Sequence, residues 1–529
     1  MTADDGQVGR EGSFQSWSTD MGKPDPVSRV SSAIRTRLSM GRGRSLARHA
    51  ERAMFRASDS RNIPGNAARL LDGPEAFEAW IRAIEGARSW VHIENYIFRA
   101  DRIGRRFRDV LIEKAREGVS VRLLYDWVGC WATPASYWRP FRSAGVDVRA
   151  FSPPTLSEPL RMLRRDHRKV VVVDGSYASV GGMCIGDAWV GDPERGIPAW
   201  RDTGVELIGP VAAVVDRAFA RAWSEAGTTL PGHEIPDPNN IPTAGDVSVR
   251  VVEGEPGLSR IYRITQIVSA SVENRFWITD PYFVAPPALT EALASAARDG
   301  VDVRVLLPAY NNWPIVGGFS RAGYRPLLEA GVRIFEWEGP MIHAKTAVAD
   351  GGWARIGSSN LNLASLMTNW ELDVAILDPG FAARMEERFL HDLSSAVEIF
   401  LPQASSGGSR RSLMRGKPAI RQATSLEDVS TAREARRRAP RGSWTARVIG
   451  QMSRASIVLA RALLGVRNVG DEESGWIVVV ALILIGMALL GFFSPRSLAW
   501  PVAFLLFWLG IAALYRALVD RRTRRRPDP

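Results

Sequence analysis

The amino-acid sequence predicts an α/β protein: two duplicated α/β sandwich lobes forming one catalytic unit, followed by a C-terminal transmembrane helical hairpin. Three observations carry that expectation. Matching phrases occur in the same order in two halves of the chain. Within each half, apolar runs of strand length alternate with helical patterns. Beyond them lie two uncharged runs of eighteen residues, Trp476 to Phe493 and Leu498 to Tyr515, each long enough to cross a hydrocarbon core of about 30 Å.

At 529 residues the chain exceeds one ordinary domain. A formal charge of +11 points to polyanions, either nucleic acid or an anionic membrane surface. Two cysteines, Cys130 and Cys184, supply neither a disulfide framework nor a metal-ligand cluster. Residues 1–65 are rich in arginine and poor in apolar residues, which predicts a basic, disordered segment. No apolar h-region of a signal peptide is seen there.

The first repeat is placed at 66–232. Asp72-Gly-Pro-Glu75 predicts a helix running to about Ala87, with Asp72 near its cap. A strand over Val91–Phe98, a helix over Arg105–Glu117 and a buried strand over Val121–Tyr125 follow. Trp127, Trp131, Tyr137 and Trp138 then cluster around Gly129 and Pro134. Such rings either pack on neighbouring elements or form a rim at a membrane interface. The second repeat, 233–400, answers in kind. Phe276-Trp-Ile-Thr-Asp280-Pro-Tyr282 stands for Trp90-Val-His-Ile-Glu94-Asn-Tyr96, and Asn311-Asn-Trp313 to Phe319 stands for the aromatic loop.

Each repeat ends in the same chemical phrase. The first reads His167-Arg-Lys169, then Asp174-Gly175, Gly181-Gly182, Cys184 and Trp200-Arg-Asp202. The second reads His343-Ala-Lys345, then Asp350-Gly351, Gly357-Ser358-Ser359-Asn360 and Asn369-Trp-Glu371. With period 2, imidazole and ammonium fall on one strand face, and Asp-Gly supplies the turn behind them. A cation beside a histidine suits a phosphate, with the histidine attacking phosphorus or moving a proton. Ser358 and Asn360 add neutral donors, and Glu371 stands where a carboxylate fixes an imidazole tautomer. One short motif recurs by chance; a duplicated one is far more specific.

Through the two H-x-K-x4-D motifs and their glycine- and serine-containing turns, residues 65–400 resemble the phospholipase D superfamily. The Glu94-Asn-Tyr-Ile-Phe, Arg102-Ile-Gly104-Arg-Arg-Phe, Trp200-Arg-Asp202 and Asp280-Pro-Tyr-Phe phrases are similar to bacterial cardiolipin synthases. The resemblance implies phosphatidyl transfer from phosphatidylglycerol through a phosphohistidine, without metal or cofactor. It implies His167 as nucleophile and His343 as acid and base, an order that pseudo-symmetry leaves open. Lys169 and Lys345, with Ser358 and Asn360, would stabilise the phosphoryl oxygens, and Asp174 and Asp350 complete the motifs. It also implies the crossed pairs His167–Glu371 and His343–Asp202. The chain departs from the pattern at Gly182-Met183-Cys184, where Asn is usual at 184; a thiol cannot replace an amide's two donors.

After a basic linker at 401–443, Arg447, Arg454 and Arg461 recur every seven residues. An amphipathic helix over 444–467 lying on a bilayer is the expectation. Transmembrane helices over 476–493 and 498–518 follow. Arginines flank both outer ends while Arg496 alone lies between the runs, which places the catalytic unit on the cytoplasmic side of a bacterial inner membrane. Phospholipids and the bilayer are the expected partners. Nucleic acid is not, because a nuclease has no use for the hairpin.

Overall fold

The computed structural model describes residues 50–155, 161, 163–401 and 414–416. The predicted segments at 1–49, the linker beyond 416, the amphipathic helix and both membrane runs lie outside these residues. Among the described residues, no helix is long and apolar enough to cross a membrane. The chain divides at Arg56 into two units; of the first, residues 50–56 are described and are helical.

The second unit holds two sheets of the same design. In the first repeat the strands are β1 (Asn62–Asp72), β2 (Trp90–Asn95), β3 (Ser120–Asp126), β4 (Asp147–Phe151), β5 (Arg165–Asp166), β6 (Lys169–Val173), β7 (Tyr177–Gly181) and β8 (Thr203–Ile208). In the second they are β9 (Val247–Gly254), β10 (Arg275–Thr279), β11 (Asp302–Pro308), β12 (Arg333–Trp337), β13 (Thr346–Ala349), β14 (Trp353–Gly357) and β15 (Asn369–Leu377). Strand order is β4-β3-β2-β6-β7-β8-β1 in one sheet and β12-β11-β10-β13-β14-β15-β9 in the other, whose β12 edge is extended antiparallel by Ala396–Phe400 and Met414–Gly416. In both, the first three strands named are parallel and the rest antiparallel. The start of β1 pairs with β9 and its end with β8, which joins the sheets.

Period-2 alternation buries both faces. On β6, Val171 and Val173 enter the core beneath the helices Glu75–Glu85 and Arg102–Arg116, while Val170 and Val172 enter the core shared with Pro210–Glu225 and Pro379–Leu393. Fully burying one such valine is worth about 1.5–3 kcal/mol. That explains why these strands read as unbroken apolar runs.

Three local expectations are corrected. The first helix begins at Glu75 with Pro74 as N-cap; Asp72 ends β1 and its carboxylate meets Arg201 and Arg388. The second helix begins at Arg102, because Asp101 accepts the Gly104 N–H at 3.0 Å and so caps it three residues early. The counterpart of Asp280 is Asn95, not Glu94. Asn95 pairs with Lys169 and Thr279 with Thr346, and Asn95 and Asp280 each accept the N–H two residues on. Pro281 is an extra residue that shifts the sequence match by one.

Candidate active site

Each histidine motif begins just before a strand. β6 starts at Lys169 and β13 at Thr346, so His167 and His343 lie on extended lead-ins rather than inside strands. These lead-ins pair across the repeats. β5 runs parallel to the start of β15, and the His167 N–H donates to Trp370 O at 2.9 Å. Ile342 bridges Arg201, and the His343 N–H donates to Arg201 O at 2.6 Å. Each histidine is thereby held against the residue preceding the other repeat's acid.

The crossed pairs result. His167 Nδ1 lies 2.9 Å from Glu371 Oε2, and His343 Nδ1 lies 2.7 Å from Asp202 Oδ2. All four side chains are buried. Burial pushes His167 down to about 4 and His343 down to about 3, the neighbouring lysines adding to both effects. Burial alone would raise the two acids. The facing imidazoles and nearby lysines outweigh it, drawing Glu371 to about 2 and Asp202 below its ordinary value. The resting state is therefore two ionised carboxylates, each accepting an Nδ1–H from a neutral imidazole. That tautomer leaves the Nε2 lone pair of His167 free for chemistry and turns that of His343 toward the Lys345 ammonium.

The lysines reach the same space. Lys345 Nζ is 3.1 Å from His343 Nε2, and burial pushes its amine down to about 8. Its equal approach to Nδ1 is no hydrogen bond, since that hydrogen is given to Asp202. Lys169 lies over the Tyr96 ring and Lys345 over Tyr282, at 5.1 and 5.8 Å. The same tyrosines pack edge-on against His167 and His343.

The structure does not bring Asp174 and Asp350 to this site. They stand at the far ends of β6 and β13, in turns with φ of 48°, because the intervening residues are extended at about 3.3 Å each. Asp174 accepts the N–H groups of Arg88, Ser89 and Trp90; Asp350 accepts those of Glu273, Asn274 and Arg275. Both tie a hairpin to the start of a parallel strand.

Ser358 is also engaged elsewhere. Its hydroxyl donates to Glu371 at 2.5 Å and accepts the Leu372 N–H, so its proton is committed to the acid. Asn360 donates to Ser365 Oγ at 3.3 Å, leaving its second amide hydrogen for a ligand. Gly182, the counterpart of Ser358, leaves no room for a side chain: a Cβ there meets Asp202 Oδ1 at 2.2 Å. Cys184 is buried, and burial raises its thiol despite the nearby Lys169, so it stays protonated beside the cations.

Three residues were missed. Ser365 donates to Glu371 and Asn369 Nδ2 lies 3.1 Å from it. In the first repeat the position of Ser365 is held by Trp189, five residues after Cys184 as Ser365 is after Asn360. Its indole N–H donates to Asp202 at 3.0 Å, and its ring packs edge-on against His343. A serine and a tryptophan do one job on opposite sides, and their chemical dissimilarity hides the match. Among the described residues, no group of three or more His, Cys, Asp or Glu is arranged to hold a metal ion.

Comparison with known proteins gives the geometry its context. Residues 80–190 and 264–393 match the family described as cardiolipin synthase, PLD-like domain. Cardiolipin synthase A of Pseudomonas syringae pv. syringae is 34% identical over 366 residues, covering 68% of this chain and 75% of the relative. Cardiolipin synthase A of Pseudomonas fluorescens is 37% identical over 354 residues, covering 66% and 73%. Among solved structures, phosphatidylserine synthase of Haemophilus influenzae aligns over 66% of this chain and 91% of its own with a TM-score of 0.51; at 14% identity it bears on the fold alone. Duplicated sheets, crossed histidine–carboxylate pairs and this level of identity agree: the chain belongs to the cardiolipin synthases of the phospholipase D superfamily.

Proposed function

We propose that this enzyme transfers a phosphatidyl group from one phosphatidylglycerol to the hydroxyl of another, giving cardiolipin and glycerol. His167 Nε2 attacks phosphorus as the bond to the glycerol oxygen breaks, and His343 Nε2–H protonates that oxygen. His343 then takes the proton of the acceptor hydroxyl as its oxygen attacks phosphorus. The P–N bond breaks and His167 is regenerated. Lys169, Lys345 and the free amide hydrogen of Asn360 offset charge on the phosphoryl oxygens. The incoming phosphodiester carries a negative charge, which raises the histidines and lets His343 hold its proton. The single observation behind this reading is the pair of buried imidazoles, each held at Nδ1 by the other repeat's carboxylate and each presenting Nε2. The two uncharged runs at 476–493 and 498–515, with arginines outside them, support a hairpin that holds the catalytic unit on the cytoplasmic face of the membrane.

Mass spectrometry of products from the purified full chain and phosphatidylglycerol vesicles tests this. Cardiolipin and glycerol in equal amounts are expected. Phosphatidic acid as the sole lipid product would instead identify a hydrolase.

A further inference from the structure

We propose that the two aromatic loops beside the active site form a bilayer-docking rim, with Trp131, Tyr310, Trp313 and Phe319 entering the headgroup region around the mouth. The inference rests on the reading above that the substrate is a bilayer phospholipid. Trp131 is 77% exposed, Tyr310 68%, Trp313 63% and Phe319 62%; no other large apolar side chain among the described residues exceeds 48%. The four most exposed large apolar side chains among the described residues thus lie in two connections, one after β3 and one after β11, at equivalent positions of the repeats, with Phe319 on the helix Pro314–Ala322. Tyr137 and Trp138 of the same sequence cluster are buried and belong to the core.

Each loop is tied to the tyrosine that packs on its own repeat's histidine. The Cys130 thiol donates to Tyr96 O at 3.7 Å, and Gly129 approaches that carbonyl so closely that a Cβ would lie 1.9 Å from it. The Tyr282 hydroxyl donates to Asn312 Oδ1 at 2.8 Å, and Asn311 Nδ2 donates to Pro281 O at 2.8 Å. Since Tyr96 and Tyr282 pack on His167 and His343, the two connections that carry the exposed rings are anchored beside the histidines.

Composition selects the occupant. Residues 127–145 contain Arg139 and Arg142 and no acid; residues 309–327 contain Arg321 and Arg325 and no acid. Arg139, Arg142 and Arg321 are exposed, although Arg321 is shared with Glu336. Indole and phenol rings beside arginines match the water–lipid boundary of an anionic membrane. Docking there brings a headgroup to the histidines without lifting its chains out of the bilayer.

The test is depth-dependent quenching in phosphatidylglycerol-containing proteoliposomes. The full chain carries an environment-sensitive fluorophore on Trp131→Cys, Trp313→Cys or, at the opposite end of β3, Glu117→Cys. The native thiols are buried and raised by that burial, so labelling is selective. Spin-labelled lipid should quench the probe at 131 and 313 and leave that at 117 unquenched. Equal quenching at all three sites, or none at 131 and 313, overturns the rim. Trp131→Ser with Trp313→Ser should also lower turnover of vesicle lipid, relative to monomeric short-chain phosphatidylglycerol, by about tenfold; an unchanged ratio overturns the proposal. Because quenching is read without turnover, an enzyme with no phosphatidyl transfer would still report on the rim.

Discussion

Glu371 accepts the Nδ1–H of His167 at 2.9 Å although the two are 204 positions apart and belong to different repeats. Asp202 and His343 repeat the arrangement in reverse. Neither repeat alone contains a positioned histidine, so the active site exists only when both sheets are assembled. The reason is the pairing of lead-ins: β5 lies beside the start of β15, and Ile342 beside Arg201.

The two histidines should fail as a unit. His167→Ala and His343→Ala are each expected to abolish turnover, and the double variant should be little worse than either. Glu371→Gln keeps the shape but removes the charge that selects the Nδ1–H tautomer. A loss of roughly 10³–10⁴ in kcat is expected, by analogy with a serine-protease triad whose aspartate becomes asparagine. Steady-state kinetics with circular dichroism as a folding control decide; full activity in any of the three single variants sinks the mechanism.

Burial also sets a pH signature. With His167 near 4 and His343 near 3, the unfolded chain binds protons below about pH 6.5 that the folded site refuses. Both histidines therefore contribute stability above pH 6.5 that is lost as pH falls toward 4. Glu371, drawn to about 2, adds a loss of the same sign below about pH 4.5. Asp166 opposes them: buried, and beside Asp126, it is raised to about 7 despite Arg168, so its contribution is lost as pH rises through 7. Nitrogen-15 NMR of the imidazoles should show neutral Nδ1–H tautomers at pH 7 without ligand. Added inorganic phosphate should move their titration upward. Cationic rings at pH 7 in the free enzyme would contradict the resting state.

The H-x-K-x4-D spacing unites two duties, and they can be separated. Asp350→Ala leaves three backbone N–H groups without their acceptor. Bonds to a charged group are worth about 1.5–3 kcal/mol each and are not additive. The thermal midpoint should fall clearly while kcat of the folded enzyme stays within a few-fold. Loss of turnover at an unchanged midpoint would return Asp350 to the chemistry.

The sequence carried the buried strand at Val121 to Tyr125, the Asp-Gly turns and the two H-x-K phrases, because each depends on neighbours in the chain. The crossed pairs were legible only through resemblance, since nothing local tells His167 that its acid stands at 371. Spacing could not reveal that Asp174 and Asp350 end up a strand's length from the imidazoles. Ser358 read as a phosphate donor because its hydroxyl is free in sequence; in the fold Glu371 takes it. A single inserted proline, Pro281, shifted Asp280 onto Glu94 instead of Asn95. Residues 476–493 and 498–518 remain a reading of composition alone.

Trp189 offers the sharpest test of the concealed symmetry. It donates to Asp202 as Ser365 donates to Glu371, while its ring packs on His343. Trp189→Phe keeps an aromatic ring in the same pocket and removes the N–H. Asp202 then retains only His343 and the Thr203 N–H, so its carboxylate is less well held and orients the imidazole less firmly. A hydrogen bond to a charged group is worth about 1.5–3 kcal/mol, which sets an upper range of roughly 10- to 100-fold on kcat. KM should change little, because Trp189 acts through Asp202 and His343. The measurement is kcat and KM beside the thermal midpoint. A fall in the midpoint with kcat preserved would make Trp189 a packing residue and leave Asp202 held well enough without it.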